Sequence, residues 1–149
     1  MRLLMLLPYL VQMLAIGLDE FIFHVRRGLP KWERIGHPLD TLSVLACFLF
    51  VLCVPYSPLA LKIYIGLAIF SCILVTKDEF VHKHVCPASE QWLHAVLFVN
   101  HSIVLIVTGI LWPSLEGAFY AFLGAQAGFV FLFFLYQVIY WNFIRENQQ

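Results

Sequence analysis

The sequence predicts an all-α integral membrane protein with about five transmembrane helices. Three observations support this fold class: of 149 residues, 62% are hydrophobic, only 12% are charged, and the mean hydropathy is +0.86. A soluble domain is nearer half apolar and a quarter charged. Helices are expected because every backbone polar group inside a bilayer must be satisfied within the protein. We therefore expect a single transmembrane domain over residues 1–149.

Five apolar runs define the expected spans. With flanking residues, each reaches the roughly 20 residues that a helix needs to cross the hydrocarbon layer. The runs are approximately 3–18, 39–54, 58–76, 92–112 and 118–144. The first run lacks a small-residue cleavage site, so we expect it to be retained rather than removed as a signal peptide. Two longer polar segments, about 19–38 and 77–91, are expected as loops on one face of the membrane.

The basic residues predict the orientation. Seven Lys and Arg side chains fall on the face with the long polar segments and the C-terminus, and two fall on the other face. Because Lys and Arg favour the cytoplasmic side, we expect that face in the cytoplasm and the N-terminus outside. Arg26, Arg27 and Lys31 are interpreted as topology determinants that contact lipid headgroups. A bacterial inner membrane is the default, given the small size and the absence of a recognised targeting signal.

The two polar segments repeat one pattern. The first contains Asp19-Glu20-Phe21, His24, Trp32-Glu33 and His37, and the second contains Asp78-Glu79-Phe80, His82, His84, Glu90, Trp92 and His94. Repeats in membrane proteins usually indicate pseudo-symmetric halves with a site at their interface. We therefore expect repeat one at about 1–57 and repeat two at about 58–114, forming two hairpins of a four-helix bundle. An extra helix at about 115–149 would be added outside.

The repeated segments also predict a metal centre. Together with the spans that follow them, within repeats one and two, they hold all six histidines and seven of the nine carboxylates, several of them as i, i+4 pairs on one helical face. Histidine nitrogen and carboxylate oxygen suit iron, manganese or zinc, and a set this large suits two ions between facing helices. The candidate metal ligands are Glu20, His24, Glu33, His37, Asp40, Glu79, His82, His84, Glu90, His94 and His101.

Other residues have simpler interpretations. Asp19 and Asp78 are expected to cap a helix or complement its dipole. The four cysteines show no CxxC spacing, so we interpret them as small hydrophobic residues rather than a disulfide framework or a zinc site. The fifth run carries no candidate ligand, and its Gly124 and Gly128 predict a face for close helix packing.

This ligand set at a membrane boundary predicts a di-metal enzyme that oxidises a membrane lipid or another apolar substrate, with iron favoured over zinc or manganese. In ligand type and membrane position it resembles the membrane di-iron desaturases and hydroxylases, although their HxxxH and HxxHH boxes are absent here. We expect electrons from a separate cytoplasmic reductase, because the sequence shows no flavin or nucleotide motif. A net charge of zero without a basic surface argues against a nucleic-acid partner.

Four alternatives use the same residues. A zinc-dependent hydrolase of lipids would lower the pKa of a bound water and use a spare glutamate as general base. A non-catalytic protein would use metal only to join the hairpins. Haem binding is disfavoured by the carboxylates beside the histidines, and metal transport is disfavoured by the apolar outer halves of the first four runs.

Overall fold

The computed structural model describes residues 2–80, 82 and 86–145. Within these residues, five helices are long and apolar enough to cross a membrane, which confirms the expected fold class. The helices are α1 (Leu7–Leu18), α2 (Lys31–Cys53), α3 (Pro58–Leu74), α4 (Ala88–Leu111) and α5 (Gly117–Ile139). The side chain of Asp78 and the whole of His84 lie outside the described part of the chain.

The first polar segment is helical rather than a long loop. After α1 the chain continues through a π-helical segment, Asp19–His24, and a short α-helical turn, Val25–Arg27. The break before α2 is only three residues long and begins at Gly28, whose φ of 79° favours glycine. The helix can continue because its carboxylates and imidazoles contact one another inside the bundle. Hydropathy alone treats the same side chains as loop residues.

The fifth helix is part of the bundle and does not lie outside it. α5 packs along α2, while α1 packs on α4, and α3 contacts both α2 and α4. α5 also reaches α1: the rings of Tyr9 and Phe122 meet edge to face at 5.2 Å. Its inward side chains Leu123, Ala127 and Gln137 are buried, whereas Leu132 faces outward. α5 therefore lies between α1 and α2.

Interhelical hydrogen bonds connect the helices within the apolar core. Tyr9 Oη and Thr108 Oγ1 are 2.6 Å apart, and Tyr64 donates its hydroxyl to the Leu105 carbonyl at 2.6 Å. Polar pairs of this kind stabilise helix association in a bilayer, where apolar contact between helices competes with equally apolar lipid. These polar side chains lie in the half of the bundle away from the two polar segments, which we expected to be almost entirely apolar. Their hydrogen bonds are made within the bundle.

Asn100 connects α4 to α1. Its amide donates to the Pro8 carbonyl at 2.8 Å and to Gln12 Oε1 at 2.7 Å. We expect Asn100→Leu to lower the free energy of unfolding by about 1 kcal/mol, because both bonds are lost. Unfolding of detergent-solubilised protein in rising SDS would measure this. Ser102→Ala is the control, since Ser102 donates to the Phe98 carbonyl of its own helix and its one hydrogen-bond contact with another helix, among the described residues, is to Cys72 Sγ, a weak donor, at 3.4 Å. Equal losses in the two variants would contradict the prediction.

Candidate metal centre

Four histidines from different segments meet at one end of the bundle. His24 ends the π-helical segment, His37 lies near the start of α2, His82 follows α3, and His94 lies near the start of α4. Their rings form a closed circuit. The centroid distances are 4.9 Å for His24–His37, 6.3 Å for His37–His82, 4.3 Å for His82–His94 and 6.3 Å for His94–His24. The topology therefore brings together imidazoles that lie up to seventy positions apart in the chain.

Four buried carboxylates surround this histidine circuit, with one guanidinium among them. The carboxylates belong to Asp19, Glu20, Glu33 and Glu90, which are at most 6% exposed. Arg27 Nη2 donates to Glu33 at 3.0 Å and to Glu90 at 2.9 Å. If the histidines are neutral, the four carboxylates carry four negative charges and the guanidinium carries one positive charge. Three negative charges are then uncompensated in this part of the described structure. Such charges are costly to bury, so the cluster requires further positive charge.

Glu20 orients His24. The carboxylate accepts hydrogen bonds from His24 Nδ1 at 3.2 Å, Tyr136 Oη at 2.8 Å and Trp141 Nε1 at 2.8 Å. Three donors occupy most of the lone pairs of this carboxylate, and Glu20 is a member of none of the three groups described below, so its observed contact is the one that orients the His24 ring. If a neutral His24 ring donates through Nδ1, its Nε2 atom carries a free lone pair. Carboxylate–histidine pairs commonly orient metal-binding imidazoles in this way.

The Nε2 atom of His24 faces carboxylate oxygens. It lies 3.3 Å from Asp19 Oδ2 and 3.7 Å from Glu90 Oε1, without hydrogen-bond geometry to either. Arg27 already donates to Glu90 Oε1 at 2.9 Å, and the repulsion that remains would be relieved by a proton on one of these atoms or by a metal ion between them. His94 repeats the arrangement: Nε2 donates to Asp19 Oδ1 at 3.1 Å, and Nδ1 is buried without a hydrogen-bond partner among the described residues.

Three overlapping groups of side chains can hold a metal ion. In each group, one ligand atom per residue lies within 4.8 Å of the others. The groups are Asp19 with His24, Glu90 and His94; His24 with Glu33 and His37; and Glu79 with His82 and His94. All four members of the first group are buried. Because His24 and His94 are each shared by two groups, the candidate ligands form one continuous centre.

Three candidates from the sequence have other surroundings, and a fourth falls outside the described part of the chain. Asp40 accepts from Lys77 at 2.6 Å, and His101 forms a hydrogen bond with Ser71 at 3.1 Å, so both lie outside the three groups. Glu79 belongs to the third group but is exposed. His84 lies outside the described residues.

The structure also brings in residues that the sequence analysis did not assign to the site. Asp19 is a member of the buried cluster, although we expected it to cap a helix. Arg27 pairs with buried glutamates, although we expected it to contact lipid headgroups. α5 supplies Tyr136, and the π-helical segment after it supplies Trp141. The repeated Asp-Glu-Phe pattern could have indicated Asp19, whereas no pattern marks Tyr136 or Trp141.

Cys86 follows His82 in the chain and is buried near Arg27 and Glu90. Burial raises the pKa of the Cys86 thiol to about 12, so the thiol is protonated at neutral pH. Cys86 is a member of none of the three ligand groups among the described residues.

A partly open cavity of about 150 Å³ joins the cluster to the apolar interior. Asp19, Glu20, His24, His37 and His94 line its polar part. Much of the remaining wall is apolar and includes Phe48, Leu97, Phe98, Val104, Phe129, Val130 and Phe133. The cavity therefore places apolar space directly beside the candidate ligands.

The fold and this site define an all-α integral membrane protein with a buried histidine–carboxylate cluster that can hold a metal ion. Comparisons with protein-family models, with curated proteins and with solved structures found no match. Its chemistry is therefore inferred from its own residues.

Proposed function

We propose that the protein is a membrane-embedded di-metal enzyme, with iron as the favoured metal, that oxidises a lipid-like apolar substrate. One observation carries this proposal: His24 Nε2, Asp19 Oδ2 and Glu90 Oε1 face one another at 3.3 and 3.7 Å around His24. A metal ion between them would give His24 Nε2 and Asp19 Oδ2 a partner and would lie beside Glu90 Oε1, which also accepts from Arg27. It would also offset the excess negative charge of the cluster without protons on the surrounding imidazoles.

The ligand groups suggest how two ions would be held. Asp19, His24, Glu90 and His94 would hold the first ion, and Glu33 and His37 would hold the second. His82 Nε2 lies 3.5 Å from Glu33 Oε1 and could complete the second set. Two divalent ions would bring four positive charges against the three uncompensated negative charges.

The protein's own residues would position the substrate and the ligands. Glu20, fixed by Tyr136 and Trp141, would hold the His24 ring, and Asp19 would hold His94 through its second oxygen. The apolar cavity walls would bind a hydrocarbon segment and exclude water from it. Bound iron would supply redox chemistry with oxygen, and electrons would come from a separate reductase. By the distribution of basic residues, this end of the bundle would face the cytoplasm, in a bacterial inner membrane by default.

Arg27 supports the proposed internal repeat. Glu33 and Glu90 occupy equivalent positions in the two sequence units, and the same atom of Arg27, Nη2, donates to both at 3.0 and 2.9 Å. Two equivalent glutamates meeting at one point are expected when two related halves share a site at their interface.

A zinc-dependent lipid hydrolase is the second candidate. The observation that favours it is the first ligand group, in which four buried side chains already match the coordination number of zinc. Hydrolysis would need one of these positions to be free for water. The carboxylate-rich surroundings and the apolar cavity favour oxidation of a hydrocarbon instead.

Metal content and oxygen uptake test the proposal together. Detergent-purified protein should contain about two iron ions per chain and should consume oxygen when given a reductant and fatty-acyl lipids. Two zinc ions with hydrolysis in the absence of reductant would support the second candidate. Glu90→Gln should lower the metal content, whereas Glu116→Gln, at an exposed position at the opposite end of the bundle, should not. Protein that binds no metal after reconstitution would contradict both candidates.

A further inference from the structure

A chain of hydrogen bonds runs through the membrane interior to His101. Ser43 Oγ donates to the Asp40 carbonyl at 2.7 Å. Ser43 Oγ and Ser71 Oγ are 2.7 Å apart, and Ser71 Oγ is 3.1 Å from His101 Nε2. Ser71 is fully buried, and His101 is 5% exposed.

Counting hydrogens along this chain assigns the His101 tautomer. Ser43 uses its one hydroxyl hydrogen on the Asp40 carbonyl, so Ser71 must donate to Ser43. Ser71 then has no hydrogen left for His101, and His101 Nε2 must be the donor. A neutral imidazole that carries its proton on Nε2 has a lone pair on Nδ1. His101 Nδ1 is therefore a hydrogen-bond acceptor.

This acceptor belongs to the wall of the cavity. His101 lines it, about 10 Å along α4 from His94, given seven residues at the helical rise. Within the described part of the chain, Ser71 is the hydrogen-bond partner of His101, and the neighbouring wall residues Phe98 and Val104 offer no side-chain donor. An acceptor on the wall of a cavity is stabilised when a ligand that enters the cavity supplies a donor.

We infer that the cavity binds an apolar molecule that carries a hydroxyl group, and that His101 Nδ1 accepts a hydrogen bond from that hydroxyl. A hydroxyl supplies one donor without bringing charge into the apolar part of the cavity. The volume of about 150 Å³ matches that of a cavity known to hold benzene, so the group that enters is about the size of one ring. A hydroxyl-bearing apolar molecule would then be the substrate of the proposed metal centre. That this molecule is turned over, and not only bound, rests on the proposed function.

Binding of two ring-sized probes tests the inference without turnover. Fluorine NMR can compare 4-fluorophenol with fluorobenzene, which differ by one hydroxyl, in detergent-purified protein and in empty micelles. After correction for partition into micelles, we expect 4-fluorophenol to bind about fivefold more tightly, the effect of one hydrogen bond. Equal affinities in the wild-type protein would overturn the inference.

Two variants of His101 separate the roles of its nitrogens. A glutamine amide reaches the position of Nε2, so His101→Gln keeps the contact with Ser71 and loses the acceptor at Nδ1. An asparagine amide reaches the position of Nδ1 and keeps that acceptor. We expect the preference for 4-fluorophenol to disappear in His101→Gln and to persist in His101→Asn. Ser102→Ala, beside it on the same helix, should behave like wild type. A preference that survives in His101→Gln would contradict the inference.

Metal analysis on the same samples distinguishes this inference from the proposed function. Metal-free wild-type protein that still prefers 4-fluorophenol would support the hydroxyl site even if the metal proposal failed. Metal-loaded protein without that preference would overturn the hydroxyl site and leave the metal centre supported. His101→Gln should keep the wild-type metal content, because His101 lies outside the three ligand groups.

Discussion

His24→Ala is expected to remove the first of the two proposed ions. Glu20 occupies Nδ1 of this imidazole, so only Nε2 can bind an ion, and its neighbouring oxygens on Asp19 and Glu90 belong to the first group. His37 belongs to one group only, and His37→Ala should remove the second ion alone. Elemental analysis should therefore give about two ions per chain for wild type, about one for each single variant and almost none for the double variant His24→Ala/His37→Ala.

A graded loss of this kind distinguishes a shared centre from a general loss of structure. Circular dichroism should show the same helix content in both variants and in wild type, because His24 and His37 lie near the ends of their helical segments. His101→Gln serves as a histidine control with full metal content. If either single variant retained two ions, or if the double variant retained any metal, the assignment of one of these histidines to each ion would be wrong.

Arg27→Met is expected to destabilise the metal-free protein strongly. The substitution removes the guanidinium between Glu33 and Glu90, which are 0% and 1% exposed, and leaves both charges buried together. Breaking a buried pair costs about 3–5 kcal/mol, and the partial exposure of Arg27 places the expected loss at about 3 kcal/mol. Thermal unfolding of protein purified with a chelator measures this loss.

Added metal should restore much of that stability, because a cation bound by the folded state replaces the missing positive charge and stabilises it by mass action. Arg26→Met is the matched control: the neighbouring arginine is exposed, and its loss should change stability by less than about 0.5 kcal/mol. A similar effect of the two substitutions would show that the Arg27 pairs contribute nothing specific. If Arg27→Met were destabilised and added metal did not restore its stability, protons rather than a metal ion would balance the negative charge of the cluster.

The membrane class, the number of spanning helices and the segments that carry the site could be predicted from the sequence. Hydropathy over a window identifies spans, and the i, i+4 spacing of Glu20 with His24 and of Glu90 with His94 indicates shared helical faces. The same local reasoning predicts that the first helix ends at about residue 18, whereas helical structure continues to Arg27. It treated the polar residues between 19 and 27 as a loop, although their side chains find partners on other helices.

Individual roles within the site required the structure. Glu20 is similar to Glu90 in its spacing to a histidine, yet Glu20 meets Tyr136 and Trp141 while Glu90 faces the imidazole of His24. Asp40 and His101 share the sequence signature of buried ligands, but Lys77 and Ser71 contact them. These partners lie on other helices, thirty or more positions away in the chain, where sequence spacing carries no information.

The sequence by itself determined that this protein is a helical membrane protein and that its titratable side chains collect at one end of the helices. Both properties depend on hydropathy and on spacing within single helices, which are local. Only the tertiary structure decided that α5 enters the bundle and that Arg27 joins two glutamates. It also decided which ring nitrogen of His24, His94 and His101 makes a hydrogen bond. Those outcomes depend on how helices pack against one another, and hence on contacts between residues that are distant along the chain.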